Sequence, residues 1–297
     1  MSLVINNNMM AANTARNLNA HYGRLATSTQ RLSTGLRVNG AADDAAGLAI
    51  RELQRADIAA LHQGARNAND AISMIQTADG AMGVIDEKLI RLKELAEQAA
   101  TGTYDSTQRL MIESEYQAMA SEITRIANAT DFNGIHLLDG TLSSDTHNGT
   151  GMTAIGKMKI HFGTGNDSAE DYYYITIGNC TASALGVGNA ADPEAAGYTV
   201  STQAAAQKAL EGINEAIISK DKIRAHLGAM QNRLENTITN LNVQAENLQA
   251  AESRISDVDV ATEMTQFVRN QILTQSAVAM LGQANSLPQM AMQLIGG

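Results

Sequence analysis

Two apolar stripes with heptad-like spacing, one in each half of the chain, dominate the pattern of this sequence. Apolar residues that recur every three and four positions keep one seam of a long helix facing a partner helix. The principal seam residues are Ile75, Met82, Ile85, Leu89 and Leu92 in the first half and Leu227, Leu234, Leu241 and Leu248 in the second, with one missed beat at Lys220. The simplest arrangement of helices so far apart in sequence is antiparallel packing.

The residues between the stripes predict a small β-structure. Residues 157–162 alternate polar and apolar side chains, residues 172–177 are rich in strand-forming types, and a Gly-Asn-Asp loop separates them. Two such segments predict a β-hairpin. We therefore expect a mainly α fold, an elongated antiparallel helical bundle or coiled-coil rod with a small β-hairpin insert and with the N- and C-termini paired at one end.

Turn residues and prolines predict where the helices end. A long helix is expected from about Asp44 to Ala100, and a third helix is expected to end at Asn133-Gly134. The residues expected on one face of that third helix are Ile112, Tyr116, Met119, Ile123 and Ile126. From about Thr202 the chain is predicted to be helical to near Asn285, with Pro288 stopping the helix.

Composition favours narrow helix interfaces over a thick globular core. Aromatic residues make up only 3% of the chain, and there is no Trp. The net charge of −10, without any basic stripe, disfavours nucleic acid as a partner. The sequence contains no run of 18 consecutive apolar residues, so it predicts no transmembrane helix. The single cysteine, Cys180, excludes an internal disulfide.

Candidate sites for enzymatic chemistry fail on spacing or context. Residues 151–157 have the spacing of a phosphate-binding loop, but Met158 replaces the hydroxyl residue that would hold Mg²⁺, and a strand pattern follows. The six histidines lie too far apart for a helical zinc pair. Asp167, Glu170 and Asp171 match no known cation-binding loop. We expect no enzymatic activity, no cofactor and no metal site.

Two long segments resemble the signatures of a known family. Residues 30–50, with the sequence QRLSTGLRVNGAADDAAGLAI, closely resemble the N-terminal signature of bacterial flagellin. Residues 254–264, followed by 270–275 and 279–285, resemble its C-terminal signature. The resemblance covers about residues 1–140 and 200–297. It departs at Ala42, where Lys is frequent, and in the final residues 295–297, where many members end in Leu-Arg.

The resemblance implies a layered filament subunit. Residues 1–43 and 255–297 would form the inner terminal coiled-coil layer, and residues 44–140 and 200–254 the helical rod domain. Residues 141–199 would hold the β-hairpin and a short variable region, with outer domains absent or vestigial. The inner polymerisation stripe is assigned to Leu18, Leu25, Leu32, Met264, Phe267, Leu273 and Leu281.

Terminal helices of low intrinsic stability do not gain enough free energy on their own to offset the conformational entropy lost when they form. We therefore expect both terminal segments to be disordered in the monomer and to fold when neighbouring subunits bury their stripes. An open head-to-tail contact of this kind generates a helical fibre.

The resemblance also implies a function and partners. The chain would be secreted unfolded through the flagellar type III apparatus and would self-assemble at the distal tip into the extracellular filament used for motility. Its partners would be further copies of itself, an export chaperone at the C-terminus, and the filament cap and hook-associated proteins. A hook–filament junction protein of the same family is the alternative. A filament subunit with a metalloprotease insert is disfavoured, since no His-Glu-x-x-His motif is present.

A Toll-like innate immune receptor for flagellin is a further implied partner. By motif alignment its recognition residues fall on Arg91, Leu95 and Glu115. Arg91 and Leu95 are four residues apart, so one helical face would present both. Ile90 stands where many activating members have Gln. We expect the monomer to be recognised far better than the filament, and the double change Arg91→Ala with Leu95→Ala to remove most of the signal.

Overall fold

The computed structural model describes residues 8–144, 156–188 and 199–295. Within these ranges the helices are α1 (Met9–Thr34), α2 (Ala45–Ala100), α3 (Ser106–Ala129), α4 (Ala182–Leu185), α5 (Gln203–Ser256) and α6 (Val260–Ile295). The strands are β1 (Asp131–Phe132), β2 (Ile135–His136), β3 (Met158–His161) and β4 (Tyr172–Ile175). The predicted mainly helical fold with a β-hairpin insert is confirmed.

The chain forms two compact units. Residues 59–245 form one, which we call the central unit, and residues 1–58 with 246–297 form the other, the terminal unit. Helices α2 and α5 contribute residues to both units. The layer bounds expected from the resemblance, at residues 43/44 and 254/255, stay a prediction.

The core of the central unit is built on α2, α3 and α5. Ion pairs Asp79–Arg224 and Asp86–Lys220 show that α2 and α5 run antiparallel. The seam residues within this unit, namely Ile75, Met82, Ile85, Leu89, Leu92, Leu227, Leu234 and Leu241, are all buried. Lys220, at the missed beat of the second stripe, is itself buried and also pairs with Asp221.

The hairpin of β3 and β4 packs against α2. The strands pair antiparallel, with Met158 opposite Ile175 and His161 opposite Tyr172. Asn67 on α2 donates from Nδ2 to the carbonyl of His161 at 2.8 Å. The approach is close enough that a Cβ on Gly64 would lie 1.9 Å from the Phe162 carbonyl oxygen, so only glycine fits there.

A second, two-residue hairpin was not predicted. Asn133 and Gly134 both have positive φ, 53° and 79°, and join β1 to β2. Asn-Gly is the preferred pair for this tight hairpin turn because both residues tolerate positive φ. The predicted end of the third helix at Asn133-Gly134 is therefore slightly late, because α3 already ends at Ala129 and the Asn-Gly pair forms the turn of this hairpin.

Two predicted features of the C-terminal helix are wrong. A single helix from Thr202 was expected, but residues 257–259 separate α5 from α6. There Val258 donates its N–H to the Gly35 carbonyl at 3.0 Å, and Leu36 bridges to Asp257, so main-chain bonds to a distant segment replace helical ones. Pro288 was expected to stop the helix, but α6 continues through it to Ile295.

Candidate functional site

Helices α1 and α6 pair antiparallel in the terminal unit. Near one end of the pair, Asn8 donates from Nδ2 to the Ala284 carbonyl at 2.8 Å. Near the other end, Arg31 lies 3.8 Å from the Glu263 carboxylate and 3.7 Å from that of Asp43. Both terminal segments are therefore helical and paired within one chain, and their disorder in the isolated monomer stays a prediction.

The interface between α1 and α6 is unusually polar. Buried side chains there include Ser28, Glu263, Asn270 and Thr274, each at most 9% exposed. A groove of about 510 Å³ lies along this pair and is lined by Arg24, Arg31 and Arg269 among other polar residues. Small-molecule sites are mostly apolar cavities with few polar groups, and this groove has the opposite character.

The residues expected to form the inner polymerisation stripe are only partly covered. The half-buried members are Leu18, Leu25, Leu32, Phe267, Leu273 and Leu281. Met264 is 44% exposed. Their burial by neighbouring subunits stays a prediction, and each has apolar surface left to bury.

Helix α6 also carries an apolar row that the sequence analysis did not identify. Its members, which we call the outward row, are Val260, Met264, Val268 and Ile272, exposed by 58%, 44%, 44% and 56%. Residues four apart lie on one helical face. Apolar residues are spread around the whole circumference of α6. The four-residue spacing was visible in the sequence and would have identified this row.

The start of α6 is fixed by Asp259. Its carboxylate accepts from the Thr262 hydroxyl at 2.8 Å and from the backbone N–H groups of Ala261 and Thr262 at 3.0 and 3.3 Å. The Thr262 hydroxyl, followed by these N–H groups, lowers the pKa of Asp259 below its ordinary value. The carboxylate is thus held in its charged form at the positive end of the helix.

The structure corrects one of the residues expected at the receptor surface. Arg91 donates from Nε and Nη2 to Glu115 at 3.0 and 2.7 Å, and both side chains are close to half exposed. Leu95 is only 1% exposed and lies in the core of its own chain. A partner of the folded chain therefore reaches Arg91 and Glu115 but not Leu95.

The described residues contain no group suited to metal binding and no helix suited to membrane insertion. No group of three or more His, Cys, Asp or Glu within those ranges could hold a metal ion. No helix of the described part is long and apolar enough to cross a membrane. Most of the phosphate-loop-like segment, residues 151–155, lies outside the described residues, as does much of the expected variable region.

Comparison with known proteins gives matches over both helical ends of the chain. The bacterial flagellin N-terminal helical region matches residues 5–143, and the flagellin C-terminal helical region matches residues 210–295. The flagellar filament 33 kDa core protein of Treponema phagedenis is 41% identical, over 99% of this chain and 100% of that protein. The flagellin of Bacillus subtilis is 42% identical, over 98% of this chain and 99% of that protein. Among solved structures, Bacillus cereus flagellin is 28% identical, over 63% of this chain and 94% of that chain, with a TM-score of 0.46.

The chain belongs to the bacterial flagellin family. It is a structural subunit of the flagellar filament, and the alternative of a hook–filament junction protein is not favoured because full-length relatives are flagellins and filament core proteins.

Proposed function

We propose that this subunit polymerises through its terminal unit, and that α1 and α6 of neighbouring copies bury the outward row. The observation that carries the proposal is that apolar residues lie on more than one face of α6, and that pairing with α1 leaves the outward row exposed. Burial of this exposed apolar surface stabilises any contact that covers it. A second helix pair from another copy supplies the missing cover.

The distribution of exposed apolar side chains supports this location. In the described residues, twelve of the eighteen exposed large apolar side chains belong to the terminal unit, although it contains the smaller part of the chain. Large contiguous apolar surface on a soluble protein marks an interaction site. The terminal unit therefore has the most surface to gain from assembly.

The same exposed surface underlies the proposed route of the subunit. Before assembly the outward row needs protection, which a chaperone bound at the C-terminal helix would give. The weak terminal helices suit export in an unfolded state through the flagellar type III apparatus. Folding would then accompany polymerisation beneath the cap, at the distal tip of the extracellular filament.

Seeded elongation tests the proposed surface. Val268 in the outward row and Val84 on α2 of the central unit are both 44% exposed, which makes them a matched pair. Val268→Asp should raise the critical concentration for elongation of filament seeds by more than about tenfold, since a charge would enter a buried contact. Val84→Asp should change it by less than about twofold. Equal effects would contradict the assignment to the terminal unit, and failure of the unaltered chain to elongate seeds would contradict polymerisation itself.

We further propose that an innate immune receptor of the Toll-like class binds the Arg91–Glu115 surface of the monomer. The two exposed, ion-paired groups and the 50% exposed Ile90 next to them support this surface. Arg91→Ala should reduce receptor signalling in reporter cells treated with monomer. Arg125, which is exposed and paired with Glu122 on α3, provides the control. Equal signalling by Arg91→Ala and Arg125→Ala monomers would refute this proposal.

A further inference from the structure

Pro288 leaves a gap in the hydrogen bonding of α6. In an α-helix the N–H of residue 288 would donate to the carbonyl of residue 284. Proline has no N–H, so the carbonyl of Ala284 loses its partner within the helix. Ala284 is buried, at 5% exposure, and a buried carbonyl without a donor is costly.

Asn8 fills this gap from the other terminal helix. Its Nδ2 donates to the Ala284 carbonyl oxygen at 2.8 Å, across 276 positions of the sequence. Its Oδ1 accepts from the Ala11 N–H at 3.0 Å and so caps the start of α1. One amide side chain therefore uses its acceptor for its own helix and its donor for the partner helix. An ionised aspartate keeps the capping acceptor but has no donor. The single hydroxyl of the shorter serine, while it caps its own helix, stays farther from the Ala284 carbonyl than the amide of Asn8 does.

We infer that Asn8 replaces the hydrogen bond that Pro288 removes, and that this replacement fixes the register in which α1 pairs with α6. Carbonyls in the interior of a helix are already bonded to the N–H four residues later. A shift of α1 by one turn would place Asn8 beside such a carbonyl and leave that of Ala284 without a donor. The Arg31–Glu263 contact near the other end of the pair joins two flexible charged side chains at 3.8 Å and discriminates less sharply between registers.

The register matters for assembly on the proposed function, because the α1–α6 pair is the surface that neighbouring copies would meet. Pro288 then contributes to the pairing by leaving the Ala284 carbonyl without a helical donor. It creates an acceptor within α6 that the start of α1 satisfies in this register.

A double-mutant cycle tests the inference. The four chains are the unaltered one, Asn8→Ser, Pro288→Ala and the double variant, each measured for its critical concentration in seeded elongation. Asn8→Ser keeps a good cap and adds no charge, and it should raise the critical concentration about tenfold when Pro288 is present. Pro288→Ala restores the N–H, so the same change of Asn8 should then cost less than about twofold. Asn17→Ser, at an exposed position of α1, controls for loss of an amide and should have little effect in either background.

Equal effects of Asn8→Ser with and without Pro288, or no effect with Pro288, would overturn the inference. A chain that does not elongate seeds at all would instead contradict the proposed function. The four monomers would then be compared by millisecond amide hydrogen exchange in α6, which resolves the weak protection expected of a terminal helix without neighbouring copies. An absence of coupling between positions 8 and 288 would also overturn the inference.

Discussion

The central and terminal units are both built from long helices, but they differ in what they bury. In the described residues of the central unit the core is almost wholly apolar, and Thr181 and Lys220 are its only buried polar side chains. In the terminal unit the only buried large apolar or alanine side chains described are Val38 and Ala284, against six buried polar or charged ones. The central unit buries its apolar surface within itself. Much of the apolar surface of the terminal unit stays exposed and is available for contact with other molecules.

This difference separates folding from assembly within one chain. A unit with a filled apolar core folds alone, because its burial offsets the entropy of ordering the chain. A pair of helices with several buried polar side chains and many exposed apolar ones gains stability when further copies cover it. Changes in the central unit should therefore act on the stability of the monomer, and changes in the terminal unit on polymerisation.

Deletion gives the largest expected separation of the two properties. Removal of residues 1–40 or of residues 256–297 should abolish filament formation, because either cut removes one helix of the α1–α6 pair. The core residues at 75–99 and 210–245 lie outside both cuts, so the remaining chain should stay helical. Sedimentation and circular dichroism measure the two properties separately. Long filaments from either truncated chain would show that polymerisation does not require the α1–α6 pair.

Cavity-forming changes in each unit test whether monomer stability and polymerisation respond separately. Leu89 is fully buried in the central unit, and Leu89→Ala should reduce the free energy of unfolding by about 3 kcal/mol. Leu25 is half-buried on α1, and Leu25→Ala should leave the unfolding of the monomer nearly unchanged while it raises the critical concentration. Leu25→Asp should raise it further. Chemical denaturation and seeded elongation on the same preparations decide whether the two effects separate in this way.

Cys180 reports on the central unit alone. Burial raises the pKa of its thiol to about 11, so at pH 8 the thiolate is about a hundredfold scarcer than for an exposed cysteine. Alkylation by iodoacetamide should be slow in the native chain and in both truncated chains, and faster in Leu89→Ala. Rapid alkylation after truncation would mean that the central unit depends on the terminal one.

The smallest expected effect is the pH dependence of α6. The folded pKa of Asp259 lies below its ordinary value of 3.8, so its capping contribution is complete above that value and is lost as the pH falls through the lower, folded pKa. Asp259→Asn keeps the cap but does not titrate. Between about pH 5 and pH 3 the unaltered chain should lose slightly more elongation activity than this variant. Identical pH profiles would remove Asp259 as a contributor.

The sequence was sufficient wherever structure follows local periodicity. The bounds of α2 were predicted within a residue, and the hairpin of β3 and β4 followed from alternation. The break at residues 257–259 was missed because its partners, Gly35 and Leu36, lie more than 200 positions away. Spacing along α2 places Leu95 beside Arg91 but does not show whether the side chain is exposed, and in the fold it lies in the core.

The continuation of α6 through Pro288 has a similar cause. The proline rule that predicted an end at this position is sound for an isolated helix. Here Asn8 supplies the missing donor from the opposite end of the chain, which no local pattern encodes.

Amide hydrogen exchange in monomer and filament is the most direct test that the central unit folds in the monomer and the terminal unit is stabilised by assembly. We expect residues 9–34 and 260–286 to exchange rapidly in the monomer and to become strongly protected in the filament, while residues 68–99 are protected in both. Equal protection of the terminal helices in monomer and filament would contradict it, because those helices would then be stable without any neighbouring subunit.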